Sequence, residues 1–210
     1  MKDYLESGAI IDWEHPDILT KARELAEGDT EVINIAGRTF EWVRDEIAHS
    51  ADYCRNPVTC TASEVLHHKT GFCYAKSHLL AALLRANGIP TGFCYQRFSI
   101  NSDGAPYCLH GLNAIMLPGI GWYRVDPRGN KEGVDAQFNP AQEQLAFSIT
   151  VPGEFDFPEV WPRPLPHVVE ALQRYSDYSE LSRNLPDVEI VGCSGSRSAS
   201  QGTPRVAMRP

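Results

Sequence analysis

No stretch of this 210-residue chain approaches the roughly 18 consecutive apolar residues that a membrane helix needs. The opening MKDYLESGAIIDWEHPD has neither an apolar core nor a small-residue cleavage pattern, so no secretion signal is expected. Basic residues are in deficit: 19 Lys and Arg stand against 27 Asp and Glu, for a net charge of −8. Phosphate binding needs a broad basic field, so nucleic acid is not an expected partner, and neither is a membrane. There is no internal repeat and no C-x₂-C pair. The expected compartment is therefore a reducing cytoplasm. There the six cysteines would stay free, hold a metal or include one nucleophile, rather than form the disulfide framework of a short secreted chain.

What is present suits one globular domain. Hydrophobic residues make up 42% and charged residues 22%, enough to build a core. The negative charge is lopsided: residues 1–50 carry 5 basic and 12 acidic side chains. Apolar residues at helical spacing predict helices over 16–27, with Pro16 near the start, and over 30–49, with Thr30 as N-cap. Residues 50–71 read as loop with a short helix at 62–67. The clearest helix runs from Phe72 to Asn87, where Asn87-Gly88 and Pro90 stop it.

Beyond that point the period changes. Strands are predicted over 92–100, 107–117 and 121–126, with a further one over 144–151. Residues 152–166 are proline-rich and predict extended surface chain. A short helix is expected from His167 to Tyr175, continuing towards Leu185, and 188–210 reads as a flexible tail. The expected class is α+β: N-terminal helices over 1–50, a core over 51–150 and a C-terminal wrap over 151–187, as one domain.

The chemistry centres on Gly71-Phe72-Cys73, where a cysteine opens the strongest helix. Unsatisfied N–H groups and the positive end of the helix dipole favour a thiolate there, and the same N–H groups can receive an oxyanion. A free cysteine is otherwise most often a small buried apolar residue, so a partner base and an orienter are required. His110 lies early in one predicted strand and Asp126 ends the next. The turn signal Pro118-Gly119 between them brings the two nearly opposite each other. They share a sheet face only if the pairing sum is even, as with an odd-length loop.

These residues resemble the bacterial transglutaminase-like superfamily, with its papain-like Cys–His–Asp core. The likeness is carried by Trp42-Val43-Arg44-Asp45-Glu46-Ile47, by Gly71-Phe72-Cys73 and by Leu83-Leu84-Arg85-Ala86-Asn87-Gly88-Ile89-Pro90. His110, Gly121-Trp122 and Val125-Asp126-Pro127 complete it. The resemblance implies that Cys73 is the nucleophile, His110 the base and Asp126 the orienter, on a helix packed against an antiparallel sheet. The Cys73 N–H is the natural first oxyanion donor, and Gln96 is the candidate for a second. No acidic calcium loop is evident, so calcium activation is not expected.

The expected function is thiol-dependent acyl transfer on a peptide, protein or small amide, with water or an amine as acceptor and no cofactor. An arylamine acetyltransferase-like enzyme and a binding domain that keeps the fold are the alternatives. A zinc site built from Cys73, Cys94, Cys108 and His110 is disfavoured, because the usual ligand spacing is missing.

Overall fold

The computed structural model describes residues 1–191 and 205–207. A 3₁₀ turn at Lys2–Leu5 precedes α1 (Pro16–Ala26) and α2 (Val32–Glu46). Pro16 takes the first position of α1, where its missing N–H costs nothing, and Ile18, Ala22 and Leu25 bury one stripe. The expected cap of α2 is displaced: its N-cap is Glu31, without a side-chain bond, because Asp29 Oδ1 accepts the Glu31 N–H at 2.9 Å.

α2 also stops at Glu46 rather than at residue 49. The chain turns there into β1 (Ala48–His49), which pairs in parallel with β2 (Thr70–Gly71), His49 opposite Gly71. Between them lies α3 (Ala62–His68), opened by a reciprocal capping box of Thr61 and Glu64.

α4 (Cys73–Ala86) is the centre of the molecule, buried at every position from Cys73 to Arg85. A helix buried all round must be wrapped on every side. Here α1, α2 and α3 pack on it, and so do β3 (Thr91–Ser99) and β4 (Tyr107–Leu117). The one arginine carried into this core is bonded several times over. Arg85 donates to the carbonyls of Thr91, Glu6 and Pro162, tying the N-terminal turn and the C-terminal wrap to the helix.

β5 (Gly121–Val125) and β6 (Phe155–Asp156) complete an antiparallel sheet in the order β5-β4-β3-β6. Its second face is covered separately: Cys94, Leu112 and Ala114 pack against Trp122, Leu145 and Val160.

The strand expected over 144–151 does not form. Gln144 makes an isolated bridge to Gln137, and the Ala146 N–H goes to Asp126. The Thr150 and Val151 N–H groups go to Glu154 Oε2, so side chains take the donors a neighbouring strand would need. The wrap instead supplies β6 and a bridge from Trp161 to Phe93.

The helix expected from 167 towards 185 is two: α5 (Pro166–Arg174) and α6 (Tyr178–Ser182). Asp177 separates them, its Oδ1 accepting the Ser179 N–H at 2.8 Å. Glu189–Val191 pairs with Arg205–Ala207; the rest of the expected tail lies outside the described residues. Among the described residues no helix is long and apolar enough to cross a membrane.

Candidate active site

Cys73 is the first residue of α4, and the N-cap Phe72 makes no side-chain bond to the helix start. The first-turn N–H groups are therefore not taken up by a capping side chain. What brings this helix end onto the sheet is Gly111, the neighbour of His110. A Cβ built on Gly111 would lie 2.8 Å from Tyr74 Cδ1 and 3.3 Å from Tyr74 Cα. Only a residue without a side chain lets α4 lie this close. The Tyr74 hydroxyl then bonds the Leu109 carbonyl across the same contact.

His110 and Asp126 are brought together by hairpin parity. Leu117 pairs with Gly121 across the three-residue loop 118–120, and Asn113 pairs with Val125. An odd loop places His110 and Asp126 on one face, offset by two residues rather than directly opposite. His110 Nε2 lies 2.7 Å from Asp126 Oδ2. Asp126 is fully buried, and its oxygens also accept the Arg128 N–H at 3.1 Å and the Ala146 N–H at 3.3 Å. Three donors fix one carboxylate, which in turn fixes the imidazole.

Cys73 and His110 line one cavity, with the His110 Nε2 given to Asp126, and the charge of Cys73 is among the influences that favour a proton on the imidazole. Burial alone would lower the imidazole's affinity for a proton. The charges and bonds of Asp126 and Cys73 outweigh that, and the His110 pKa is pushed up to about 10. Burial pushes the thiols of Cys60, Cys94 and Cys108 up to about 12.

Cys73 and His110 share a cavity of about 690 Å³, walled by aromatic and aliphatic side chains together with the hydroxyls of Ser99, Ser102, Ser148, Thr150 and Ser182. Phe98 and Phe147 stack edge-on with ring centroids 5.5 Å apart, and the His110 ring lies 5.2 Å from Phe147.

Gln96 is placed elsewhere. It pairs with His110 in the ladder, yet it lines a neighbouring pocket with Arg124, Glu143 and Asp156 and does not line the Cys73 cavity. Its backbone position faces the right strand, but its side chain is not on the cavity wall, so nothing here supports it as an oxyanion donor.

Several neighbours were not foreseen. His49 reaches the cavity wall because α2 ends early, and its ring packs 5.7 Å from that of Phe72. Burial and then Arg128 hold His49 well below the usual histidine range, against the pull of Asp52. Arg128 clamps both oxygens of Asp52, at 2.8 and 3.0 Å, while its own N–H serves Asp126. Lys76, one turn after Cys73, donates to the carbonyls of Arg44 and Ile47 at the end of α2. Gly111 carried a sequence signal, a glycine inside a strand; the pairing of Arg128 with Asp52 across 76 residues carried none.

The sequence model of the transglutaminase-like superfamily matches residues 20–127. In structure the chain is similar to a candidate cysteine protease from Cytophaga hutchinsonii, at 14% identity and TM-score 0.46, over 60% of this chain and 40% of that one. It is also similar to the periplasmic domain of TgpA from Pseudomonas aeruginosa, at 20% identity and TM-score 0.45, over 59% and 45%. This chain thus spans less than half the length of either. Comparison with curated proteins gives no significant match.

Proposed function

The chain belongs to the transglutaminase-like superfamily, and from that footing we propose that it is a thiol-dependent acyl-transfer enzyme acting on an amide bond. The observation that carries the reading is a cysteine at a helix start, sharing one cavity with a histidine that is hydrogen-bonded at 2.7 Å to a fully buried aspartate.

In this reading His110 takes the thiol proton as Cys73 Sγ attacks the amide carbonyl carbon and forms a C–S bond. The carbonyl oxygen takes the electron pair and is met by the Cys73 N–H at the start of α4. As the C–N bond breaks, His110 gives its proton to the leaving amine, which leaves a thioester on Cys73. Water or a second amine then attacks the thioester. His110 takes the proton from that nucleophile, the C–S bond breaks and the thiol–imidazole pair is restored. Asp126 holds the ring so that Nδ1 faces sulfur throughout. Hydrolysis makes the protein a protease or amidase; transfer to an amine makes it a transglutaminase. The reading includes a reducing cytoplasm, where the thiol stays unpaired.

The test is competitive alkylation near neutral pH, with iodoacetamide at low excess and peptide mapping. Cys73 should label ahead of the other five cysteines. Cys54 is exposed, so a Cys54→Ser background removes it as a competitor. Labelling that is uniform, or absent at Cys73, overturns the nucleophile. Glutamine peptides, general peptides and acyl thioesters, each with and without an added amine, then separate hydrolysis from transfer.

A further inference from the structure

The wall of the Cys73 cavity has no unpaired cation to offer and few charges of either sign. Among the described residues that line it, Arg128 and Glu154 are the only formally charged side chains apart from the histidines. Both are already saturated. Arg128 is held by both oxygens of Asp52. Glu154 accepts the N–H groups of Ser99, Thr150 and Val151, at 3.1, 2.8 and 2.9 Å. Of the two histidines, His110 is balanced by Asp126, and His49 is held in its neutral form. An anionic substituent entering here would meet no unpaired cation, and the one wall carboxylate, Glu154, has its oxygens engaged by backbone N–H groups.

The apolar part of the wall lies where an acyl group must sit. Phe98 and Phe147 stand against the ring of His110, with centroids 5.9 and 5.2 Å from it. Phe72 adjoins Cys73 in the chain, and Leu109 adjoins His110. Leu185, half-buried on the segment after α6, closes the wall from the C-terminal side. A carbonyl held between the sulfur and the imidazole has its own substituent against these rings. The volume, about 690 Å³, is ample for a large side chain and a flanking residue.

We propose that the acyl donor is neutral beside the reacting carbonyl and carries a bulky apolar side chain there, aromatic or branched aliphatic, which docks against Phe98, Phe147 and Leu185. This rests on the acyl-transfer reading and names its substrate class. Apolar pockets discriminate by about 10–200-fold per missing methylene, and a buried unpaired charge is rejected at least as strongly.

The test offers the whole chain four Nα-acetylated p-nitrophenyl esters, of phenylalanine, leucine, aspartate and lysine. It follows p-nitrophenol release together with the mass of the acylated Cys73 peptide. The expected result is a kcat/KM at least tenfold higher for the phenylalanine and leucine esters than for the other two. Leu185→Glu should raise the lysine ester relative to the phenylalanine ester by tenfold or more, and Leu185→Gln should not. Iodoacetamide labelling of Cys73 reports whether each variant keeps its site. If a variant loses that labelling, the ranking of the four esters on the parent chain decides alone. Acylation of Cys73 at equal rates by all four esters, or faster by a charged one, overturns this proposal and leaves acyl transfer standing. Failure of every ester to acylate Cys73 overturns acyl transfer itself and this proposal with it.

Discussion

Asp126 Oδ2 sits 2.7 Å from His110 Nε2, although the two residues are not partners in the β4–β5 ladder. Val125 pairs with Asn113, so Asp126 falls beside Leu112, two positions along from His110. The bond is thus a diagonal across one sheet face. Its existence depends on the loop 118–120 having three residues rather than two.

The carboxylate is what offsets the burial of His110, so its removal should be visible as a change in titration. Asp126→Asn keeps the shape but loses the charge. Acylation is expected to fall by about 10²–10⁴-fold, as when an orienting carboxylate is neutralised elsewhere. The alkaline limb of kcat/KM reports loss of the His110 proton, held to about 10 in the parent. In the variant that limb should move down towards the ordinary histidine value near 6.5. A pH–rate profile of both proteins checks this, and an unmoved limb would show that Asp126 does not set the proton affinity of His110.

Gly111→Ala tests how α4 is seated. The added methyl would meet Tyr74 Cα at 3.3 Å and Tyr74 N at 3.5 Å, which are backbone atoms and cannot swing aside. Overpacking of this kind costs about 1–3 kcal/mol. Chemical denaturation should show that loss, and alkylation of Cys73 should slow as the helix start lifts from His110. An alanine variant with parent stability and labelling rate would mean that the contact is not a constraint.

These relations also show how far the sequence could be read. α4, its stop at Asn87-Gly88 and the three long strands were legible because each is set by local pattern. The meeting of Cys73, His110 and Asp126 was legible because it needs only a helix start and the parity of one hairpin. The end of α2 was not. Ile47 continues the helical spacing, and a two-residue parallel pairing with Thr70–Gly71 leaves no local trace. Phe147, Ile149 and Val151 alternate as a strand does, and only the side chains of Asp126 and Glu154 show why the segment is a loop. Alternation along β3 reveals the face that Gln96 takes and not which cavity its side chain lines. Nothing local marks Lys76, because its two carbonyl partners come from the end of α2.

Lys76 gives a pH signature of stability. Burial first, and then Arg128, bring its pKa down to about 7, against the pull of Asp126, Asp45 and Asp52. The unfolded lysine keeps its proton up to about 10.4. Between those values the unfolded chain binds the extra proton, so this contribution rises with pH, complete above about 10.4 and lost as pH falls through 7. Lys76→Met removes it and leaves the carbonyls of Arg44 and Ile47 without this donor, at about 1–3 kcal/mol. Urea unfolding of both proteins at pH 7, 8.5 and 9.5 should show the parent's advantage growing with pH. A constant gap would place the lysine proton elsewhere.

Arg128 joins the two halves of the site through different atoms, and this makes them separable. Its backbone N–H holds Asp126 and survives any non-proline substitution, whereas its guanidinium holds Asp52. Arg128→Met therefore spares the backbone bond to Asp126 and breaks the clamp, along with the guanidinium's contacts to the Gly129 carbonyl and the Phe147 ring. Lys131 still reaches Asp52 at 2.7 Å, so the loss should stay below the roughly 3–5 kcal/mol of a fully sealed pair. His49 should respond most. Arg128 is one of the influences that hold its proton affinity down, and Asp52 Oδ2 lies 3.6 Å from its Nδ1. Without the guanidinium the titration of His49, followed by NMR of the ring protons, should move upward. Burial keeps the folded His49 below its unfolded value, so stability falls as pH drops through about 6.5, and that fall should be shallower in the variant than in the parent. A His49 titration that stays where it is in the parent would show that burial alone sets it.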